Sequence, residues 1–287
     1  MFVIVAELFS SWDWGHTVWR DVNRATPARY CFGYQSFALA SDLVTLLHIL
    51  NALAVLATAW AVWVRRHTVG SQWDGPITAG IALFGLGAVL DSTWGLVAAV
   101  SFPLTGKFYL LNAVGNVCYL LGATRGLKTV AVRLMSDDAL KRFMKFRVMA
   151  PVLVASAAML ICVVRSPITS TMPAESLYFI KPDGWLVGYW LAYFLTLTGI
   201  NSVAMYGAFV LRSGPRSLMH DPLVAATALG NLACWGFFAA IVTGQTWLVR
   251  NLNWPSAFLA IIAGAVALSI AWRHRVDELA GRRPQVS

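Results

Sequence analysis

Apolar residues along this chain occur in long blocks and do not alternate singly with polar residues. A helix needs about 20 residues to cross the hydrocarbon core of a bilayer, which is roughly 30 Å thick. Seven blocks meet that length, and the polar and charged residues are concentrated between them. The pattern therefore predicts an all-α fold, a polytopic bundle of seven transmembrane helices at residues 36–64, 77–100, 108–131, 148–165, 184–211, 222–243 and 254–272.

Composition supports a membrane protein. Of the 287 residues, 58% are hydrophobic and 12% are charged, whereas roughly a quarter of the residues in soluble proteins are charged. We expect three parts: an extracytoplasmic or interfacial segment at 1–35, a seven-helix transmembrane domain at 36–272 and a short basic cytoplasmic tail at 273–287. Trp residues mix with charges in the first segment, and this composition favours a helix near 6–20 lying at the membrane interface.

The distribution of Lys and Arg predicts the orientation. One set of loops and the C-terminal tail carry 13 basic residues, and the opposite set carries seven. Because basic residues accumulate in cytoplasmic loops, the N-terminus is expected outside and the C-terminus inside, in the plasma membrane of a bacterium. The net charge of +9 follows from this bias, so we expect no nucleic-acid partner. The most basic inner loop, 132–147, is expected to contact anionic headgroups through Arg133, Lys141, Arg142, Lys145 and Arg147.

Ionisable side chains inside the spans are the main functional candidates, because burying them in hydrocarbon is costly. Counted from the outer ends of their spans, His48, Asp91 and Asn116 fall at similar depth on three neighbouring helices. Asp91 shares a helix face with Gly87 and Gly95, where another helix can approach closely. These positions predict a polar pocket in the outer half of the bundle; the candidate ligand- or ion-binding residues are Asp91, His48, Asn116, Asn112, Asn51 and Asp42.

Two interpretations of this layer stay open. Asp91 and His48 can be packing residues that hydrogen-bond across helices, which is the commoner role of such groups. Alternatively, Asp91 anchors a cation or an amine, or carries a proton with His48 as relay. Further polar stripes lie on the fifth and sixth spans and consist of Asn201 and Ser202, and of Thr227, Asn231 and Cys234.

The chain lacks the residue patterns of several catalytic and cofactor-binding classes. HExxH, GxSxG and Gly-rich phosphate-loop motifs are missing, so we expect no enzyme. The last span has no lysine for a retinal Schiff base, paired histidines for haem are missing, and the cysteines have no CxxC spacing. We therefore expect neither a cofactor nor a metal. Cys31 and Cys162 are expected to be free thiols, with a disulfide as the alternative.

Three stretches resemble an uncharacterised actinobacterial family of seven-helix integral membrane proteins that are loosely labelled transporters. They are "LTGKFYLLNAVGNVCYLL" at the start of the third span, "RLMSDDALKRF" after it, and "YWLAYFLTLTGINSVAMYGAFVL" in the fifth. The resemblance implies seven helices and a transport role, and it assigns no functional residues.

The sequence as a whole favours a small-molecule or ion transporter that uses the outer polar pocket. A seven-helix receptor or sensor that signals to a cytoplasmic partner is one alternative, and a non-catalytic accessory or assembly subunit of a membrane complex is the other. The expected partners are the lipid bilayer and either other membrane proteins or a cytoplasmic protein.

Overall fold

A computed structural model describes residues 33–71, 74–91, 100–102, 104–171, 183–212, 220–243 and 254–279, with side chains for most of these residues from Leu46 to Val276. These residues form helices and short turns and include no β-strand, in agreement with the predicted all-α fold. Several predictions fall outside the described residues: the interfacial helix near 6–20 and almost all of segment 1–35, the state of Cys31, the position of Gly95, and the end of the tail beyond residue 279.

Seven long helices account for most of the described chain. Four of them have bounds close to those expected, and the others differ at their ends. They are α1 (Gly33–Arg65), α2 (Gly75–Leu90), α3 (Leu110–Leu134), α4 (Asp137–Arg165), α5 (Gly184–Arg212), α6 (His220–Thr243) and α7 (Trp254–Leu279).

The second helix ends earlier than the sequence pattern indicates. The prediction carried it through Asp91 to residue 100, but α2 ends at Leu90 and Asp91 follows it in a turn with φ −94° and ψ 13°. The Asp91 amide still donates to the Gly87 carbonyl at 2.8 Å and so closes the last helical turn. Asp, Ser and Thr compete with the helix for backbone hydrogen bonds, and these three residue types follow Leu90 directly. Apolar composition alone did not reveal this end.

The predicted inner loop 132–147 is also mostly helical. Helix α3 continues to Leu134 and α4 begins at Asp137, so Met135 and Ser136 alone connect them. Helix α4 contains a π-helical segment, Phe143–Met149, before it continues as an ordinary α-helix from Ala150. The two acidic residues at its start, Asp137 and Asp138, suit the positive end of the helix dipole and favour this extension.

Six of the helices form a closed ring. Consecutive contacts run from α1 to α2, α2 to α3, α3 to α5, α5 to α6, α6 to α7 and α7 back to α1. Helix α4 packs outside the ring against α3 and α5. As a result α3 touches three helices and is buried almost all round, which explains why it carries more polar residues than its neighbours.

The outer surface is that of a multi-pass membrane protein. Among the residues that the structure describes, four helical segments are long and apolar enough to cross a membrane: Leu46–Thr68, Asp137–Arg165, Gly184–Leu211 and Pro255–Arg273. The segments Gly75–Leu90 and Leu223–Ala239 are shorter apolar helices. Large apolar side chains are exposed on the outward faces, for example Leu56, Val154, Leu195 and Leu232. A soluble protein rarely exposes so much contiguous apolar surface.

Helices α2 and α3 approach closely through glycine, as the stripe containing Gly87 indicates. A methyl group at Gly87 would lie 2.6 Å from Cε1 of Tyr119 and 2.9 Å from the Gly115 carbonyl oxygen. A methyl group at Gly115 would in turn lie 3.2 Å from Cβ of Asp91. The close approach therefore fixes the position of Asp91 relative to α3.

Replacing Gly87 with alanine should destabilise the protein by about 1–3 kcal/mol, because the added methyl group overpacks the α2–α3 contact. Gly199→Ala is the matched control, since a methyl group there meets nothing within 4 Å. Unfolding of purified protein, titrated with denaturing detergent, measures both variants. Equal stability of the two variants would show that the α2–α3 contact is looser than described.

Candidate functional site

A cavity of about 190 Å³ lies inside the ring of six helices. Its wall includes residues of α1, α2, α3, α5, α6 and α7, and among the described wall residues none belongs to α4. On α5 the wall extends from Tyr193 to Ala204, which is about 16 Å at the rise of a helix. The cavity is therefore elongated along the bundle, and it extends well beyond the outer half to which the sequence assigned the pocket.

The two ends of the cavity differ in chemistry. The Asp91 end, where α2 ends and α3 begins, has Asp91 and the aromatic rings of Phe84, Tyr119, Tyr193, Phe194, Phe237 and Phe258. The opposite end, here the Arg65 end, is where α1 ends and α2 begins. Its wall is mainly aliphatic and includes Ile77, Ala204, Leu223, Ala265 and Leu268. Asn201, Thr227 and Cys234 add polar atoms between the two ends.

Asp91 is fully buried, with 0% of its surface exposed. Nδ2 of Asn112 donates to Oδ1 of Asp91 at 3.4 Å, which is long for a hydrogen bond to a carboxylate. The carboxylate also lies at the C-terminal end of α2, where the helix dipole is negative and opposes a second negative charge. Burial and the dipole together make an ionised Asp91 costly, and a bound cation would offset that cost.

Three tyrosines lie close to Asp91. Tyr119, Tyr189 and Tyr193 are all buried and lie within electrostatic range of its carboxylate. Tyr189 accepts a 2.7 Å hydrogen bond from Nδ2 of Asn116, which ties α3 to α5. Trp190 packs edge-on against Tyr189 and tilted against Phe237, with ring centroids 4.6 Å and 5.0 Å apart. These contacts pack the aromatic rings near the Asp91 end against one another.

The structure places Asp91, but not the other predicted ligand residues whose side chains it describes, on the cavity wall. Asp91 lines the cavity, whereas His48, Asn51, Asn112 and Asn116 are not among its described wall residues. Asn51 donates to the Ala88 carbonyl at 3.0 Å, and Asn112 and Asn116 make the contacts given above, so these three amides join helices. His48 lies half-buried on α1. Asp42 belongs to α1, and its side chain lies outside the described residues.

Some polar residues of α5 and α6 join helices, and others line the cavity. Asn231 donates to Oγ of Ser202 at 3.2 Å and joins the two helices. Asn201, Thr227 and Cys234 line the cavity instead. The sequence pattern identified these positions as polar, and the structure shows which of them join helices and which face the cavity.

Arg65 is the buried residue that sequence reasoning missed, because it was assigned to a basic inner loop. It is 0% exposed. Its Nε donates to Oγ1 of Thr78 at 3.1 Å, and its Nη1 donates to the Leu268 carbonyl at 3.2 Å. Its guanidinium group also lies over the ring of Trp272, 5.3 Å from the centroid. Arg65 thus joins α1, α2 and α7 at the end of the cavity opposite Asp91.

A spacing in the sequence could have revealed Arg65. Asn51, Thr58 and Arg65 recur every seven residues and alternate with Leu47, Ala54 and Ala61. All of these side chains are buried, with at most 2% of their surface exposed. This heptad spacing places them on one face of α1, which is the face that packs against α2 and α7.

The predicted membrane-surface cluster divides into two groups. Lys141, Arg142, Lys145 and Arg147 are exposed on the first part of α4. Arg133 lies on α3, and its side chain is 20% exposed. Its Nη2 is 4.0 Å from Oδ1 of Asp74, and its Nη1 donates to the Thr129 carbonyl at 2.7 Å. Arg133 therefore supports packing between α3 and the start of α2.

Within the described ranges, no three His, Cys, Asp or Glu side chains come together as a metal site would need. Models of known protein families, curated proteins and solved structures contain no match to this chain.

Proposed function

We propose that this protein is a seven-pass small-molecule transporter whose substrate site is the cavity of the six-helix ring. The observation that carries the proposal is the cavity itself, which extends about 16 Å along the bundle and has a buried acid, Asp91, in its wall. Intramembrane acids that face the interior of a bundle mark substrate or ion pathways. Asp91 is such an acid, and it lies on the cavity wall.

The distribution of polar contacts also favours transport. Four buried amides hydrogen-bond to neighbouring helices or their ends: Asn51, Asn112, Asn116 and Asn231. Asp91 takes part in one of these contacts and also lines the cavity. Joining helices alone requires no cavity beside the carboxylate, whereas a substrate site requires both the cavity and the charge.

Blocking the cavity should abolish transport. Gly126 lines the cavity, and a Cβ atom added there meets nothing within 4 Å, so the side chain of Gly126→Leu starts in open space. Uptake into proteoliposomes is measured for three labelled solutes that cross pure lipid slowly: phenylbutyl-trimethylammonium, benzenesulfonate and glucose. We expect uptake of at least one solute with the wild-type protein, and a loss of at least tenfold with Gly126→Leu.

The control is Gly199→Leu, which adds the same side chain at an exposed position on α5, where an added Cβ atom also meets nothing within 4 Å. This variant should transport at the wild-type rate. Uptake that is insensitive to Gly126→Leu, or no uptake of any solute, contradicts transport through the cavity. Binding of a solute without net uptake would instead support the receptor alternative.

A further inference from the structure

The charge on the described part of the cavity wall is negative. Asp91 is the only charged residue among its described wall residues, which otherwise consist of small, aliphatic, aromatic and a few polar uncharged side chains. A ligand with one positive charge matches this wall, because it neutralises the carboxylate and leaves an apolar body for the remaining surface. An anion would place its charge against Asp91, and a sugar would leave many hydroxyl groups without partners.

The aromatic rings at the Asp91 end strengthen the match. An ammonium group is attracted to the faces of aromatic rings as well as to a carboxylate. Tyr119, Tyr193, Phe194 and Phe237 supply such rings from three different helices around one end of the cavity. Phe194 and Phe237 pack against each other with ring centroids 4.5 Å apart, so this part of the wall is preformed.

Arg65 fixes the direction in which a cation binds. Its guanidinium group lies behind the wall at the opposite end and donates to the carbonyl of Leu268, a wall residue. Along α2, its partner Thr78 lies about 20 Å from Asp91 at the rise of a helix. A positive headgroup is therefore attracted at one end of the cavity and repelled at the other, where the aliphatic wall suits an apolar tail.

The volume limits the size of the ligand. An apolar cavity of about 150 Å³ in another protein holds benzene, and this cavity of about 190 Å³ is only slightly larger but elongated. A slender molecule fits it better than a bulky polycyclic one.

We propose that the ligand is a slender, mostly apolar organic monocation that binds with its ammonium group at Asp91 and its tail toward the Arg65 end. This proposal rests on the transport proposal only in using the same cavity. The proposal concerns the class of ligand, and binding of such a ligand without transport would agree with it.

The test uses three probes that share one skeleton and differ in charge: 4-phenylbutylamine, 4-phenylbutanol and 4-phenylbutyrate. Their affinities for the protein in nanodiscs are measured by equilibrium dialysis against empty nanodiscs, which removes partition into lipid. We expect the amine to bind at least tenfold more tightly than the alcohol, and the carboxylate to bind most weakly. In Asp91→Asn the amine should lose this advantage, while the alcohol binds as before.

Gly126→Leu should reduce binding of both the amine and the alcohol, which places both probes in the cavity. Equal affinities of amine and alcohol for the wild-type protein would overturn the proposal, as would an advantage of the amine that survives Asp91→Asn. Failure of the two proposals is distinguishable. Amine binding without uptake of any solute refutes the transport proposal and supports the proposed ligand class. Uptake of glucose or benzenesulfonate that Gly126→Leu reduces, without amine binding, supports the transport proposal and refutes the proposed ligand class.

Discussion

Replacing Arg65 with alanine should lower the free energy of unfolding by about 2–5 kcal/mol, the usual cost of cutting a large buried side chain back to alanine. Arg65 is 0% exposed, and its two hydrogen bonds reach Thr78 on α2 and Leu268 on α7. The side chain also lies within electrostatic range of Asp74, which would be left without this neighbouring charge. Alanine removes all of these interactions and leaves a void between three helices.

The adjacent arginine is the control. Arg66 is exposed and lies 4.1 Å over the ring of Trp63, an interaction worth about 0.5–1 kcal/mol at an exposed site. Unfolding by titration with denaturing detergent should therefore show a small loss for Arg66→Ala and a large loss for Arg65→Ala. Arg65→Lys should fall between them, because lysine keeps the charge but lacks the forked geometry of the guanidinium group. Similar losses for the two alanine variants would mean that Arg65 does not join the helices.

The second large effect concerns Asp91, and it separates packing from binding. Asp91→Asn keeps the shape of the side chain and its ability to hydrogen-bond with Asn112, so the free energy of unfolding should change by less than about 0.5 kcal/mol. The affinity for 4-phenylbutylamine should nevertheless fall at least tenfold, or about 1.4 kcal/mol. Asp91→Leu removes the interhelical hydrogen bond as well and should lower stability by about 0.5–2 kcal/mol.

The matched control for charge is Asp138→Asn, which removes a carboxylate from the exposed start of α4. It should leave the amine affinity unchanged and lower stability by no more than about 1 kcal/mol, through loss of one acid at the start of a helix. A packing role alone for Asp91 predicts the same stabilities, but an affinity for the amine that is the same in every variant.

The helices could be predicted from the sequence because long apolar blocks have few alternative structures in a membrane. The expected span 184–211 and helix α5 at Gly184–Arg212 differ by one residue at the C-terminal end. The end of α2 at Leu90 was not predicted, since hydropathy counts Asp91 as one polar residue in an apolar run. The Asp-Ser-Thr sequence was the available signal, and its tendency to end helices is local and weak.

The candidate site could be predicted only in part. Depth within a span can be counted along the sequence, and the count placed Asp91 well inside its span, level with His48 and Asn116. The structure instead has Asp91 at the end of α2, beside Asn112 in the first turn of α3. The rotation of each helix about its axis cannot be counted in this way. Asn112 and Asn116 lie one turn apart on the same face of α3, and the structure shows that Asn112 donates to Asp91 while Asn116 reaches Tyr189. The cavity itself depends on six helices at once, and no single stripe of residues predicts it.

The burial of Arg65 was hard to predict for a different reason. A basic pair at the end of an apolar block is typical of a membrane boundary, and Arg66 fits that expectation because it is exposed. Arg65 has the same chemistry but lies on the buried face with Asn51 and Thr58. Periodicity along α1 distinguishes the two arginines, whereas composition does not.

A crystal structure with 4-(4-bromophenyl)butylamine, recorded at the bromine absorption edge, tests most directly whether the cavity is the ligand site. We predict a bromine peak inside the six-helix ring toward Leu268, with the ammonium group about 3 Å from the carboxylate of Asp91. A bromine peak at the lipid-facing surface, or one in the cavity with the ammonium group directed toward the Arg65 end, would contradict it.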